Sequence, residues 1–269
     1  MRSMKKFMMA VAVLAATQAA AQFSSNCTPN LLSGLYGIQR NGHNTSGTFI
    51  SSVGAVTFDG SGRFTGREIV STSGTYSKSQ IDYGYTVNSD CTGTITDANG
   101  TAIYKLAIEH DGEGAFAMSI VSGNTEAVHF ERAFDDPRND ASQCTASSFR
   151  GTYVFQRNGR ASQADLLAVG VLESDGRGNA SATQTQGRNG VFSGGGIAVG
   201  TYTIDPDCMG AQFTNGVEFS ALVVVHDGGQ ILGISETPTN NVVIHFERVS
   251  DPVSHPQRPP CDLPGDRRQ

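Results

Sequence analysis

The side chains best suited to chemistry sit in short strings that occur twice. His110-Asp111-Gly112 and His226-Asp227-Gly228 each set an imidazole beside a carboxylate, a common proton-transfer or metal-ligand pair. Neighbouring residues on a strand point to opposite faces, and the glycine after each pair marks a turn. Both pairs therefore read as hairpin borders in which the Asp supports the turn. His129-Phe130-Glu131 and His245-Phe246-Glu247 put His and Glu on one strand face, outward if the Phe side chains fill a core. A zinc site needs a third protein ligand that this pattern lacks, so no metal is expected. Asp59-Gly60-Ser61-Gly62 and Asp175-Gly176-Arg177-Gly178 lack the alternating oxygen ligands and closing Glu of a calcium loop and read as tight turns. No GxSxG, HExxH or GxxxxGK[ST] string occurs, nor a GxGxxG between strand and helix. No catalytic residue and no cofactor is expected.

A second group of residues suits binding. Tyr36, Arg40 and Arg132, with their copies Tyr153, Arg157 and Arg248, are the ligand-binding candidates. Gln39 and Gln156 stand beside the two arginines, as candidates for a mouth or lumen or as closers of a rim.

What positions all of these is a repeat. Cys27, Gly34, Tyr36 and Gln39-Arg40-Asn41-Gly42 recur as Cys144, Gly151, Tyr153 and Gln156-Arg157-Asn158-Gly159. Asp90-Cys91 recurs as Asp207-Cys208, and His129-Phe130-Glu131-Arg132 as His245-Phe246-Glu247-Arg248. The cysteines set the period: 144 minus 27 and 208 minus 91 both give 117. A period that long exceeds a solenoid repeat, so each copy is expected to be a domain with its own core. Residues 23–134 and 141–250 form the copies, 135–140 a polar linker, and 251–269 a Pro-rich tail. The symmetric disulfide assignment pairs Cys27 with Cys91 and Cys144 with Cys208, each closing a loop of about 64 residues and adding about 3 to 4 kcal/mol by loop entropy. The fifth cysteine, Cys261, lies in the tail with its partner undetermined.

The chain opens with Arg2, Lys5 and Lys6, a short apolar run, and Ala19-Ala20-Ala21, the pattern of a secretory signal over 1–21. That implies a periplasmic or extracellular protein, in keeping with paired cysteines. No later stretch approaches the roughly 20 apolar residues of a membrane helix, so no membrane span is expected. A formal net charge of −6 argues against a nucleic-acid or anionic-membrane partner, both of which reward clustered cations. Among 269 residues there are 32 Gly and no Trp, which suits an all-β protein punctuated by turns.

Within the first copy, β-type stretches over 35–41, 49–58, 63–70, 81–87, 93–96, 102–109, 115–121 and 127–132 are separated by turn signals such as Asp59-Gly60, Asn99-Gly100 and Asp111-Gly112. That predicts an eight-stranded antiparallel meander, closed into an up-and-down barrel or, alternatively, split into a β-sandwich. Alternation puts Tyr36, Ile38 and Arg40 on one face and Val128, Phe130 and Arg132 on one face. If the ends of the copy pair, the Arg132 guanidinium can lie over the Tyr36 ring and close one end.

Gly34-Leu35-Tyr36 on the first strand, Arg132 on the last and eight strands between resemble the lipocalin and broader calycin architecture. There the aromatic is usually Trp under the last-strand Arg; here it is Tyr36 and Tyr153. Together with Phe58-Asp59-Gly60 and Asp90-Cys91-Thr92-Gly93, the pattern is also similar to secreted bacterial tandem β-barrels of uncharacterised function. The resemblance implies a fold and brings no catalytic residues. An eight-stranded barrel is either filled by its own side chains or holds one small ligand. The leading expectation is thus a secreted, non-catalytic module for a small apolar ligand or a surface partner. An enzyme of cyclase or isomerase type acting through Tyr36, Arg132, Tyr153 and Arg248 is one alternative, and a structural or adhesive role with the copies packed on each other is another.

Overall fold

The computed structural model describes residues 27–135, 143–161, 164–237 and 239–250. The signal, most of the linker, the tail and Cys261 lie outside the described residues.

The chain forms two closed antiparallel barrels of eight strands each. The first comprises β1 (Ser33–His43), β2 (Phe49–Asp59), β3 (Arg63–Thr72), β4 (Thr75–Val87), β5 (Thr92–Thr96), β6 (Ala102–Ile108), β7 (Gly114–Ser119) and β8 (Ala127–Arg132). The second comprises β9 (Arg150–Ala161), β10 (Ala164–Asp175), β11 (Asn179–Arg188), β12 (Val191–Ile204), β13 (Met209–Thr214), β14 (Val217–Val225), β15 (Gln230–Ser235) and β16 (Asn240–Ser250). All eight expected strands of the first copy are present, and the sandwich alternative is set aside by closure. β4 begins earlier than its apolar pattern suggests, because Thr75 to Gln80 are polar residues of a long hairpin with β3. The turn signals act locally: Asp59 Oδ1 accepts the backbone N–H of Ser61, Gly62 and Arg63 at 2.7, 2.9 and 3.0 Å. Those donors hold the exposed Asp59 carboxyl down to about 2.

Both expected disulfides are formed, Cys27 to Cys91 and Cys144 to Cys208. They tie the segment before the first strand of each barrel to the turn before its fifth. β1 pairs with β8 so that Tyr36 stands opposite Arg132, and the guanidinium carbon sits 4.9 Å from the ring centroid. Tyr36 donates to the Gly112 carbonyl at 2.5 Å, while Arg132 donates to the carbonyls of Ser33, Leu31 and Gly112 at 2.8, 3.1 and 3.0 Å. These bonds neutralise backbone acceptors that would otherwise be stranded at a dry end. In the second barrel Tyr153 stands opposite Arg248 and donates to Gly228 at 2.8 Å.

The barrels are packed against each other along one side. Outward residues of β2 and β3, Val53, Ala55 and Ile69, join one apolar cluster with Ala221, Val223, Val225, Leu232, Ile234 and Val243. Gly37 allows the close approach: a Cβ there would come within 2.4 Å of Val225 Cγ1. Polar anchors surround the cluster. Arg67 reaches Asp207 through Nε at 2.6 Å and Asp205 through Nη2 at 2.8 Å, and Gln39 Nε2 donates to the carbonyls of Gly233 and Ile244 at 3.1 and 3.2 Å.

A charged chain bridges the joint as well. His226 Nε2 lies 2.7 Å from Glu131 Oε2 and its Nδ1 lies 3.0 Å from Asp135 Oδ1. The two acids raise the His226 imidazole to about 9. Burial opposes the Glu131 charge, yet its His129 and His226 partners bring the carboxyl down to about 2. Since the His226 value is raised above 6.5, its contribution is complete below that pH and disappears as pH rises through about 9. Glu131 is lowered from 4.5, so its contribution is complete above that pH and disappears on acidification through about 2. The melting temperature should therefore be highest between roughly 4.5 and 6.5 and fall on the alkaline side. His226→Gln should flatten the alkaline fall, and an unchanged profile in that variant would show that the bridge contributes nothing.

Candidate functional site

Closure gives each barrel one inward face, and the shared register lets the two lumens be compared position by position. In the first barrel the lumen is filled near its closed end by rings. Phe58 stacks on Phe64 with centroids 4.6 Å apart and meets Tyr36, Tyr85 and Phe130 edge-on at 5.1, 5.2 and 5.6 Å. Deeper along β1, Arg40 enters the lumen and is neutralised. It donates to Glu68 Oε1 at 3.0 Å, Glu126 Oε2 at 3.4 Å and Ser52 Oγ at 3.2 Å. Tyr104 adds a bond to Glu126 Oε2 at 2.9 Å. Burial works against the Arg40 charge, but Glu68, Tyr104 and Glu126 hold it above the usual arginine range. Burial likewise pushes Tyr104 up to about 12. The unfilled space left beside this network is about 30 Å³, room for little more than water at roughly 10 to 15 Å³ each.

The second barrel keeps the arginine and loses what surrounds it. Phe58, Phe64, Ile81, Tyr83 and Tyr104 are replaced at matching register by Ser174, Ala180, Ala198, Gly200 and Ser220. Ile38 to Phe155 and Leu32 to Phe149 are exchanges toward larger side chains, and Phe149 refills the closed end against Tyr153 and Tyr202. The remaining space is about 90 Å³, bounded by Phe155, Leu172, Ala180, Ala198, Phe219, Ile244 and Phe246, with Arg157, Gln184 and Gln212 among its polar groups. Glu68 and Glu126 are replaced by Gln184 and Val242, so Arg157 meets no carboxylate among the described residues. Its Nη1 donates to Gln184 Oε1 at 3.4 Å, and its Nε is buried without a hydrogen-bond partner among the described residues. Burial, with the nearby Arg188 charge, lowers Arg157 from the usual arginine value. A guanidinium does not deprotonate in proteins, so the desolvation cost remains until an acceptor arrives.

Of the sequence candidates, Tyr36, Arg132, Tyr153 and Arg248 stand at the closed ends, and Arg40 and Arg157 project into the lumens. Gln39 and Gln156 face outward rather than into a mouth, because strand alternation opposes them to their arginines. Gln184, Gln212, Ala180 and Ala198 belong to no motif; comparing inward positions between the copies exposes lost bulk at Ala180 and Ala198, a lost charge at Gln184 in place of Glu68, and a gained amide at Gln212 in place of Ile95.

No protein-family model matches the chain, and no curated protein matches it in sequence. Among solved structures it is similar to kievitone hydratase from Nectria haematococca, with 8% identity over 84% of this chain and 92% of that one, at a TM-score of 0.27. It is similar to a DUF3598-family protein of unknown function from Nostoc punctiforme, with 11% identity, 83% and 99% coverage and a TM-score of 0.25. An AttH candidate from Nitrosomonas europaea shares 9% identity over 88% and 98%, at a TM-score of 0.26. Likenesses this distant carry no argument about function.

The two arginines should respond oppositely to neutralisation. Arg40→Met strands two buried carboxylates and should destabilise by about 3 to 5 kcal/mol. Arg157→Met removes a lone cation from an apolar lumen and should be neutral or stabilising. Urea unfolding of both variants checks this, and equal losses would contradict the lone-cation reading.

Proposed function

We propose that the protein is an exported, non-catalytic binding module whose second barrel holds a small, largely apolar molecule with one carboxylate head. The opening residues supply the export pattern, and the disulfides and the lack, among the described residues, of a helix able to cross a membrane fit that setting. The observation that carries the reading is the exchange between copies. The acids that neutralise Arg40 are gone around Arg157, and the bulky lumen side chains are gone with them. A carboxylate accepts two parallel N–H bonds from a guanidinium, through Nε and the Nη2 on its side, and Nε is the Arg157 donor that lacks a partner among the described residues. Phe155, Phe246, Ile244 and Leu172 would surround the apolar body, and Gln184 and Gln212 would orient polar substituents. The first barrel, filled and internally neutralised, acts as scaffold. The reading needs no reacting group and no cofactor.

Calorimetric titration with butyric acid, which suits a space of about 90 Å³, and with its methyl ester tests it. One acid should bind per chain, with the ester weaker. Since hydrogen bonds to charged groups contribute about 1.5 to 3 kcal/mol, Arg157→Gln should weaken the acid by about 10- to 100-fold and leave the ester unchanged. Equal affinity of acid and ester, or indifference to Arg157→Gln, would rule out the carboxylate role.

A further inference from the structure

We infer that the chain assembles head to tail with further copies of itself, by repeating between molecules the contact that joins its own two barrels. The internal joint sets an outward plug on β1 and β2 of the first barrel against an outward socket on β14, β15 and β16 of the second. Both barrels are copies of one unit, so each carries a version of both faces. The plug of the second barrel and the socket of the first are left uncovered by the described residues.

Register identifies these faces residue by residue. In the first barrel Gln39 pairs with Val53 and Gly37 with Ala55; in the second Gln156 pairs with Val169 and Val154 with Val171. Val53 and Ala55 are 0% and 3% exposed, whereas Val169 and Val171 are 56% and 41% exposed, with Leu167 and Val154 beside them. On the socket side, Leu232 and Ile234 are buried in the joint, while their counterparts Phe116 and Met118 are 50% and 62% exposed. Outward apolar side chains concentrated at matching positions are not the scatter expected of a solvated sheet face.

The exchanges between copies fall at the joint itself. Internally, Gly37 is pressed against Val223 and Val225. On the uncovered faces Val154 replaces Gly37, and the socket positions of Val223 and Val225 hold Ala107 and Glu109, so the larger plug residue meets a smaller side chain at one position and a carboxylate at the other. The bond that fixes the internal register is repeated too. Gln39 donates to the carbonyls of Gly233 and Ile244; Gln156 is the same residue type, exposed, and the matching acceptors are the carbonyls of Ala117 and Val128. The Arg67 clamp is not repeated, since Thr183 stands at its position, which makes the contact between molecules weaker than the joint within one. Because plug and socket are different surfaces, the association is heterologous and builds rings or open chains rather than a symmetric dimer.

Sedimentation velocity on the exported chain carrying Cys261→Ala, which removes any tail-linked disulfide dimer, should show reversible mass growth with concentration. Val169→Asp spoils the plug and Met118→Asp spoils the socket, and each variant alone should stay monomeric with an unchanged melting temperature, because both sites face solvent. Mixing the two variants should restore one species of twice the chain mass and nothing larger, since only one good plug meets one good socket. Should either of these fail to fold, Val154→Lys and Phe116→Lys address the same two faces. A chain that stays monomeric at every concentration would overturn the proposal. So would association that survives either variant alone, or a mixture that stays monomeric.

Discussion

Pairing of the first strand with the last governs both barrels. It sets Tyr36 against Arg132 and Tyr153 against Arg248, and because side chains alternate with period two, that register decides the face of every other residue. A slip by one residue would turn Arg40 and Arg157 to solvent and bring Gln39 and Gln156 inside. The closed end adds a reason for the register to hold, since Arg132 and Tyr36 satisfy carbonyls of Leu31, Ser33 and Gly112 that no strand partner reaches.

On that common frame the copies have diverged in opposite senses inside and outside. The first barrel buries a neutralised charge network and stacked rings, and turns an apolar stripe toward its neighbour. The second barrel has traded lumen bulk for Ser174, Ala180, Ala198, Gly200 and Ser220 and carries on β14 to β16 the residues that receive that stripe. Loss of interior packing weakens a barrel; the apolar joint, with its Arg67 and His226 anchors, adds burial to the hollowed copy from outside. One lumen is filled while the other is left partly open.

Much of this was readable residue by residue. The cysteine period, the Asp-Gly turns and the alternation around Tyr36 and Phe130 led to the repeat, the strands, the disulfide pairs and the closed end. These depend on local spacing or on one symmetric pairing, which a linear pattern records. The polar end of β4 escaped because Thr75 to Gln80 carry no apolar alternation. His226 read as a turn border, and it is one, with φ of 51°; its ion pairs with Glu131 and Asp135 join segments more than ninety positions apart, a distance that no local pattern spans.

The sequence by itself determined the repeated unit, its all-β character, the cysteine pairing and which residues share a strand face, because these follow from backbone periodicity and turn chemistry. Only the tertiary structure decided which of two like arginines would be neutralised and which faces of two like barrels would be covered. Both outcomes rest on side chains converging from strands far apart in the chain. A cavity is a deficit of volume summed around a closed wall, and a joint is the fit of two such walls, and neither quantity is held by any one segment.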